Sequence, residues 1–120
     1  MRYDFRKGLP DDHRTVSYGA GEPIFSDHDP GDCMYVVQDG YVEIRLGTGV
    51  LESVSAGGIL GEMALIDDGP RSADAVAAGD CTVVPIDQSA FLSLVGETPS
   101  FALEVMRVLV RRLRDINEKL

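Results

Sequence analysis

The sequence predicts a mainly β fold, a sandwich or barrel of short antiparallel strands closed by C-terminal helices. Short runs of β-branched and aromatic residues alternate with turn residues over about the first two thirds of the 120 residues. Thirteen glycines and six prolines are scattered between those runs rather than gathered into a linker. The last third instead carries apolar residues at helical spacing. Apolar content of 44% and charged content of 26% are ordinary for a globular chain, and the length suits one domain. It is read as an N-terminal segment 1–14, a β body 15–87 and helices 88–120.

The strands follow in order. Thr15–Tyr18 ends at Gly19-Ala20-Gly21-Glu22, and Pro23–Phe25 ends at the turn Asp27–Asp32. Cys33–Val37 and Tyr41–Leu46 flank Gln38-Asp39-Gly40, and an Asp-Gly pair in that setting predicts a hairpin. Val42, Ile44 and Leu46 alternate with Tyr41, Glu43 and Arg45, which predicts one buried and one wet face. Gly47-Thr48-Gly49 then turns the chain into Val50–Val54. Ala73–Ala78 and Cys81–Ile86 are two further strands, meeting at Gly79-Asp80.

Asp87 is a good N-cap for a helix over Gln88–Val95, with Phe91, Leu92 and Val95 on one face. Thr98-Pro99 opens a second helix that runs to about Glu118. Along it Ala102, Met106, Leu109, Leu113, Ile116 and Leu120 recur at intervals of four and three, the spacing of an a/d seam. The seam predicts a homodimer through residues 99–120. Packing against its own barrel is the other use of such a stripe.

The net charge of −9 is unevenly placed: residues 101–120 carry +2 and the rest −11. An acidic body of this kind repels nucleic acid phosphates and anionic membrane surfaces. The basic residues of the last helix suit the C-terminal end of its dipole, and no DNA-binding segment is read. No apolar run approaches the roughly 20 residues of a membrane span. The charged start Met1–Lys7 lacks the apolar core of a signal peptide. Cys33 and Cys81 lie in apolar runs without paired spacing and read as small buried hydrophobes in a reducing compartment, so the cytoplasm is expected.

The central segment carries the chemistry. Leu60-Gly61-Glu62-Met63-Ala64-Leu65-Ile66 is followed by Pro70-Arg71-Ser72-Ala73, and Arg45 and Arg71 are the sole Lys or Arg between Arg14 and Arg107. If Gly61 turns the chain into a short helix, the first N–H groups of that helix lack intrahelical partners and can face an anion. Arg71 adds a forked, permanently charged donor suited to phosphate oxygens. Glu62 would be repelled by phosphate but can accept from a sugar hydroxyl, which points to a phosphorylated ribose. A structural salt bridge from Arg71 to Glu62, Asp67 or Asp68 is the competing reading.

These residues resemble the phosphate-binding cassette of the cyclic nucleotide-binding domain family, of the catabolite activator protein and kinase A regulatory subunit type. That motif reads aromatic or aliphatic-Gly-Glu-Leu/Met-Ala-Leu, a variable loop, then Pro-Arg-Ser/Thr/Ala-Ala. Gly21-Glu22-Pro23-Ile24-Phe25, Asp29-Pro30-Gly31-Asp32 and Tyr35–Val42 also resemble the family's early strands, and the likeness covers roughly 15–118.

The resemblance implies an eight-stranded antiparallel β-roll, jelly-roll-like and flanked by helices, that binds cAMP or cGMP. It implies that Arg71 and the backbone of Ser72 and Ala73 hold the cyclic phosphate, and that Glu62 in the Gly61–Met63 turn takes the ribose 2′-hydroxyl. Leu60 and Ala64 would wall the site, and Ile116 and Asn117 would cap the base. Asp74 stands where the family usually has a neutral residue, and alternation along the strand points it away from Ala73 and Ala75. Gln38 stands where an aspartate supports the arginine in kinase regulatory subunits.

His13 and His28 are isolated, so neither a metal site nor a cofactor other than the nucleotide is expected. The serines lie in no nucleophile elbow, and no enzyme is expected. The function predicted is a single-domain receptor that signals through its C-terminal helix to an unidentified partner protein. The alternative is a β-roll interaction module that has lost nucleotide binding.

Overall fold

A computed structural model describes residues 3–119. Eight antiparallel strands form two four-stranded sheets. One sheet is ordered β1 (Val16–Tyr18), β8 (Cys81–Asp87), β3 (Cys33–Asp39), β6 (Ile59–Leu60). The other is ordered β2 (Pro23–Phe25), β7 (Asp74–Ala77), β4 (Tyr41–Leu46), β5 (Gly49–Ser55). The short helix α1 (Glu62–Asp67) interrupts the strands, and α2 (Gln88–Glu97) and α3 (Ser100–Lys119) follow them. This is the β-roll with flanking helices that the sequence led us to expect.

The Asp39-Gly40 pair does not close a hairpin. β3 pairs with β8 and β6, whereas β4 pairs with β5 and β7 in the other sheet. Gly40, at φ 80°, turns a corner between the sheets, and a Cβ there would sit 2.5 Å from the Asp80 carbonyl oxygen of the neighbouring corner. An Asp-Gly pair reports a left-handed backbone conformation, not the partner of the strand that leaves it. The true hairpin is β4–β5, turned at Gly47 with φ 61°. Along β4 the expected alternation holds at Val42 and fades toward the turn. A bulge follows Ile44, and Leu46 is exposed beyond the core.

Two cores result from strand alternation. Val37, Val42, Val54, Leu60, Ala75 and Val83 fill the space between the sheets. On the other face of the first sheet, Met34, Val36, Val84 and Ile86 pack against Phe5, Leu94, Phe101, Val105 and Val108. β3 and β8 therefore serve both cores, one from each face.

The helices refine two expectations. Asp87 does cap α2, accepting from the Ala90 N–H at 2.8 Å. The buried face of α2 is Phe91, Leu94 and Val95; Leu92 is 61% exposed, because it lies about 100° around the helix from Phe91. α3 turns Phe101, Val105 and Val108 inward, with Leu109 packed beside them, and leaves Leu103, Met106, Val110, Leu113 and Ile116 exposed. The predicted seam is thus split between two faces. Ala102 and Leu109 are half-buried in their own body, and Leu120 lies outside the described residues. α3 is apolar on two sides, so spacing alone could not assign each side its partner. Among the described residues, no helix is long and apolar enough to cross a membrane.

Candidate functional site

Two loops build the site. The segment before β7 and the turn before β3 are zipped together: the Arg71 N–H donates to the Asp29 carbonyl at 2.7 Å, and the His28 N–H donates to the Arg71 carbonyl at 2.9 Å. Pro30 and Pro70 form an isolated antiparallel bridge beside them. Prolines with fixed φ stiffen both strands of this clamp. Gly61, at φ 77°, caps the N-terminus of α1 in the left-handed conformation that glycine adopts without strain.

Arg71 is 4% exposed and reaches inward from this clamp. Its Nη1 donates to the Gly61 carbonyl at 3.0 Å, and its Nη2 lies 3.8 Å from the Cys33 sulfur. The guanidinium rests on an aromatic shelf, 4.2 Å from the Phe25 ring centre and 5.7 Å from that of Tyr35. Burial, reinforced by Cys33, pushes the Tyr35 hydroxyl far above its usual value, so that ring stays neutral beside the cation. Arg71 Nε is buried without a hydrogen-bond partner. Among the described residues Arg71 makes no ion pair. The competing salt-bridge reading therefore does not describe this side chain. A buried cation with an orphaned donor is costly unless an anion completes it.

Glu62 is 1% exposed and turns the other way, toward α3. Arg112 binds its Oε1 with Nη1, donates to Glu52 through Nε at 2.9 Å and Nη2 at 3.1 Å, and reaches the Ile59 carbonyl at 2.7 Å. Burial disfavours the Arg112 charge, but Glu62 and Glu52 outweigh it and hold its pKa above the ordinary value. One side chain of α3 is thereby tied to β5, β6 and α1.

The predicted residues divide accordingly. Leu60 and Ala64 are buried at the base of the cradle, while Gly61 and Met63 are half-buried. Ala73 is buried and Ser72 exposed on the segment that carries Arg71. Ile116 and Asn117 are solvent-exposed on α3, one turn beyond Arg112. Asp74 is directed away from the cradle as alternation predicts, and its carboxylate accepts from the Asp27 N–H at 2.7 Å. Gln38 gives Arg71 no support; its Oε1 lies 2.8 Å from His13 Nε2.

Four features of the site were missed in the sequence. Phe25 and Tyr35 form the shelf, Gly31 leaves space for Arg71, Cys33 borders the guanidinium and Arg112 holds Glu62. Arg112 had a readable signal: it continues the 3,4 spacing of Val105 and Val108, so it had to fall on the inward face of α3. Cys33 was expected to be a buried apolar residue and is instead half-buried at the cradle.

Comparison with known proteins gives this geometry a family. Residues 15–98 match the sequence profile described as "Cyclic nucleotide-binding domain". The chain is 31% identical over 112 residues to a CRP-like cAMP-activated global transcriptional regulator of Mycobacterium tuberculosis, covering 89% of this chain and 50% of that protein. It superposes on the catabolite activator protein of Thermus thermophilus with a TM-score of 0.80 at 33% identity, covering 89% of this chain and 53% of the other. A structure from work on a cyclic-GMP-dependent signalling pathway in bacterial phytopathogenesis also gives a TM-score of 0.80, at 26% identity and 95% coverage of both chains. This chain belongs to the cyclic nucleotide-binding domain family. It spans about half the length of the curated relative it matches.

Proposed function

We propose that the chain is a cytoplasmic receptor domain, not an enzyme, that binds a cyclic purine nucleotide, cAMP or cGMP, and signals through α3 to a partner protein. The observation that carries this reading is Arg71, a buried guanidinium with an unpaired Nε and, among the described residues, no carboxylate partner. A cyclic phosphate supplies the single negative charge and the acceptor oxygens that such a group needs. Gly61, Ser72 and Ala73 would bring backbone close to that phosphate, with Leu60, Met63 and Ala64 around it.

A ribose 2′-hydroxyl donating to Glu62 would share the carboxylate with Arg112, and occupancy of the site would then be felt by α3. Ile116 lies four residues beyond Arg112 on the same helical face, which suits Ile116 and Asn117 to cover the base. The outward stripe Leu103, Met106, Val110 and Leu113 supports a homodimer through α3.

Isothermal titration with cAMP and with cGMP tests the reading. At least one nucleotide should bind. Arg71→Ala should weaken binding about tenfold to a hundredfold, as expected for loss of charge-assisted hydrogen bonds. Glu62→Ala should weaken it less. No heat from either nucleotide, in protein freed of co-purified ligand, would sink the proposal. It would favour the interaction-module alternative, for which thermal stability should depend on protein concentration and not on nucleotide.

A further inference from the structure

We infer that Cys33 is an oxidisable thiol that controls the Arg71 cradle, an inference that rests on reading Arg71 as the phosphate anchor. Cys33 opens β3 on the side that Tyr35 and Val37 turn into the roll, opposite Met34 and Val36. Its sulfur is the atom that faces Arg71 Nη2, at 3.8 Å. Cys33 is only half-buried, whereas Cys81 is buried in the inter-sheet core. Burial also raises the Cys81 thiol above its usual value, which keeps it protonated and slow to react. Independently of the cysteine, Arg71 Nε, on the same guanidinium, stands without an acceptor, so this buried cation can take a negatively charged oxygen.

An oxygen carried by the Cys33 sulfur would meet that demand from inside the protein. A hydroperoxide supplies it: the thiolate sulfur attacks one peroxide oxygen, the S–O bond forms and the O–O bond breaks. The sulfur loses two electrons, and the departing oxygen takes up the thiol proton and leaves as water or an alcohol. The resulting sulfenic acid places its oxygen against Arg71, where the ligand's phosphate would bind. Ligand and oxidation therefore compete, and thiols reverse the block because the sulfenic state is reducible.

The test uses the folded protein. Hydrogen peroxide followed by dimedone, and separately iodoacetamide, are applied without denaturant, and peptide mass spectrometry reads Cys33 and Cys81. Cys33 should be labelled at least about tenfold faster than Cys81. Bound cAMP or cGMP should slow that labelling. Peroxide-treated protein should bind nucleotide about tenfold to a hundredfold more weakly, recovering with dithiothreitol, while alkylated protein should not recover.

Each variant is compared with its own untreated sample: Cys33→Ser should lose the response to treatment and Cys81→Ser should keep it. Equal labelling of the two cysteines overturns the inference, as does unchanged affinity after Cys33 is modified. Loss of binding through loss of the folding transition overturns it too. If untreated protein binds neither nucleotide, the functional reading fails first; if untreated and modified proteins bind alike, only the Cys33 inference fails.

Discussion

Gly31 and Gly61 flank the Arg71 guanidinium at van der Waals distance. A Cβ on Gly61 would lie 2.5 Å from Arg71 Nη1, and one on Gly31 would overlap the Ala64 methyl and come within 3.0 Å of Arg71 Nε. Gly61 also needs its positive φ, but Gly31 needs only the space. Gly31→Ala therefore isolates the packing term. It should cost about 1–3 kcal/mol, the usual range for overpacking, read as a lower urea midpoint. The same substitution should weaken nucleotide binding, since Arg71 must move away from the added methyl group. An unchanged midpoint would show that α1 yields freely at Ala64. Gly31 stood in plain view within Asp29-Pro30-Gly31-Asp32, yet its neighbour Ala64 is 33 positions away, and no local pattern announces that approach.

At the scale of elements, α3 is held to the β-roll by apolar contacts and by one ionic cluster. Val105 and Val108 supply the first, and Arg112 with Glu62 and Glu52 the second. Glu62 and Arg112 are almost fully shielded, with side chains 2% and 11% exposed. Removing one partner strands the other. Arg112→Met should destabilise the protein by about 3–5 kcal/mol, because the Glu62 carboxylate is left buried without a counter-charge. Adding Glu62→Gln should recover part of that loss, and a double-mutant cycle in urea reads the coupling. If the two effects simply add, Arg112 is not the tie between α3 and α1. The basic character of α3, and the local spacing that pairs Arg107 with Glu104, were legible in the sequence; the use of Arg112 was not, since Glu52 and Glu62 arrive from other elements.

At the scale of the whole molecule, α3 presents an exposed apolar stripe that nothing among the described residues covers. Leu103, Met106, Val110 and Leu113 are each about half exposed along one side of a helix whose opposite side already serves the core. Sedimentation velocity should show a dimer. Leu113→Glu should raise its dissociation constant at least about tenfold, because a charge in an apolar seam must be desolvated. A monomer at all accessible concentrations would assign the stripe to a different partner.

Seven of the eight strand runs, the Asp87 cap, the two long helices and the Gly61–Ala73 segment with its lone arginine could be read from local sequence; the two-residue β6, Ile59–Leu60, could not. The legible features depend on neighbours within a few residues, through alternation, turn dihedrals and capping. Tertiary structure decided which sheet each strand joined, so Asp39-Gly40 became a corner rather than a hairpin. It also decided which stripe of α3 faced inward, and that Arg71 lies on Phe25 and Tyr35 beside Cys33 while Glu62 pairs with Arg112. Each of those outcomes depends on residues tens of positions apart meeting in a shared core, and their meeting is set by packing rather than by local spacing.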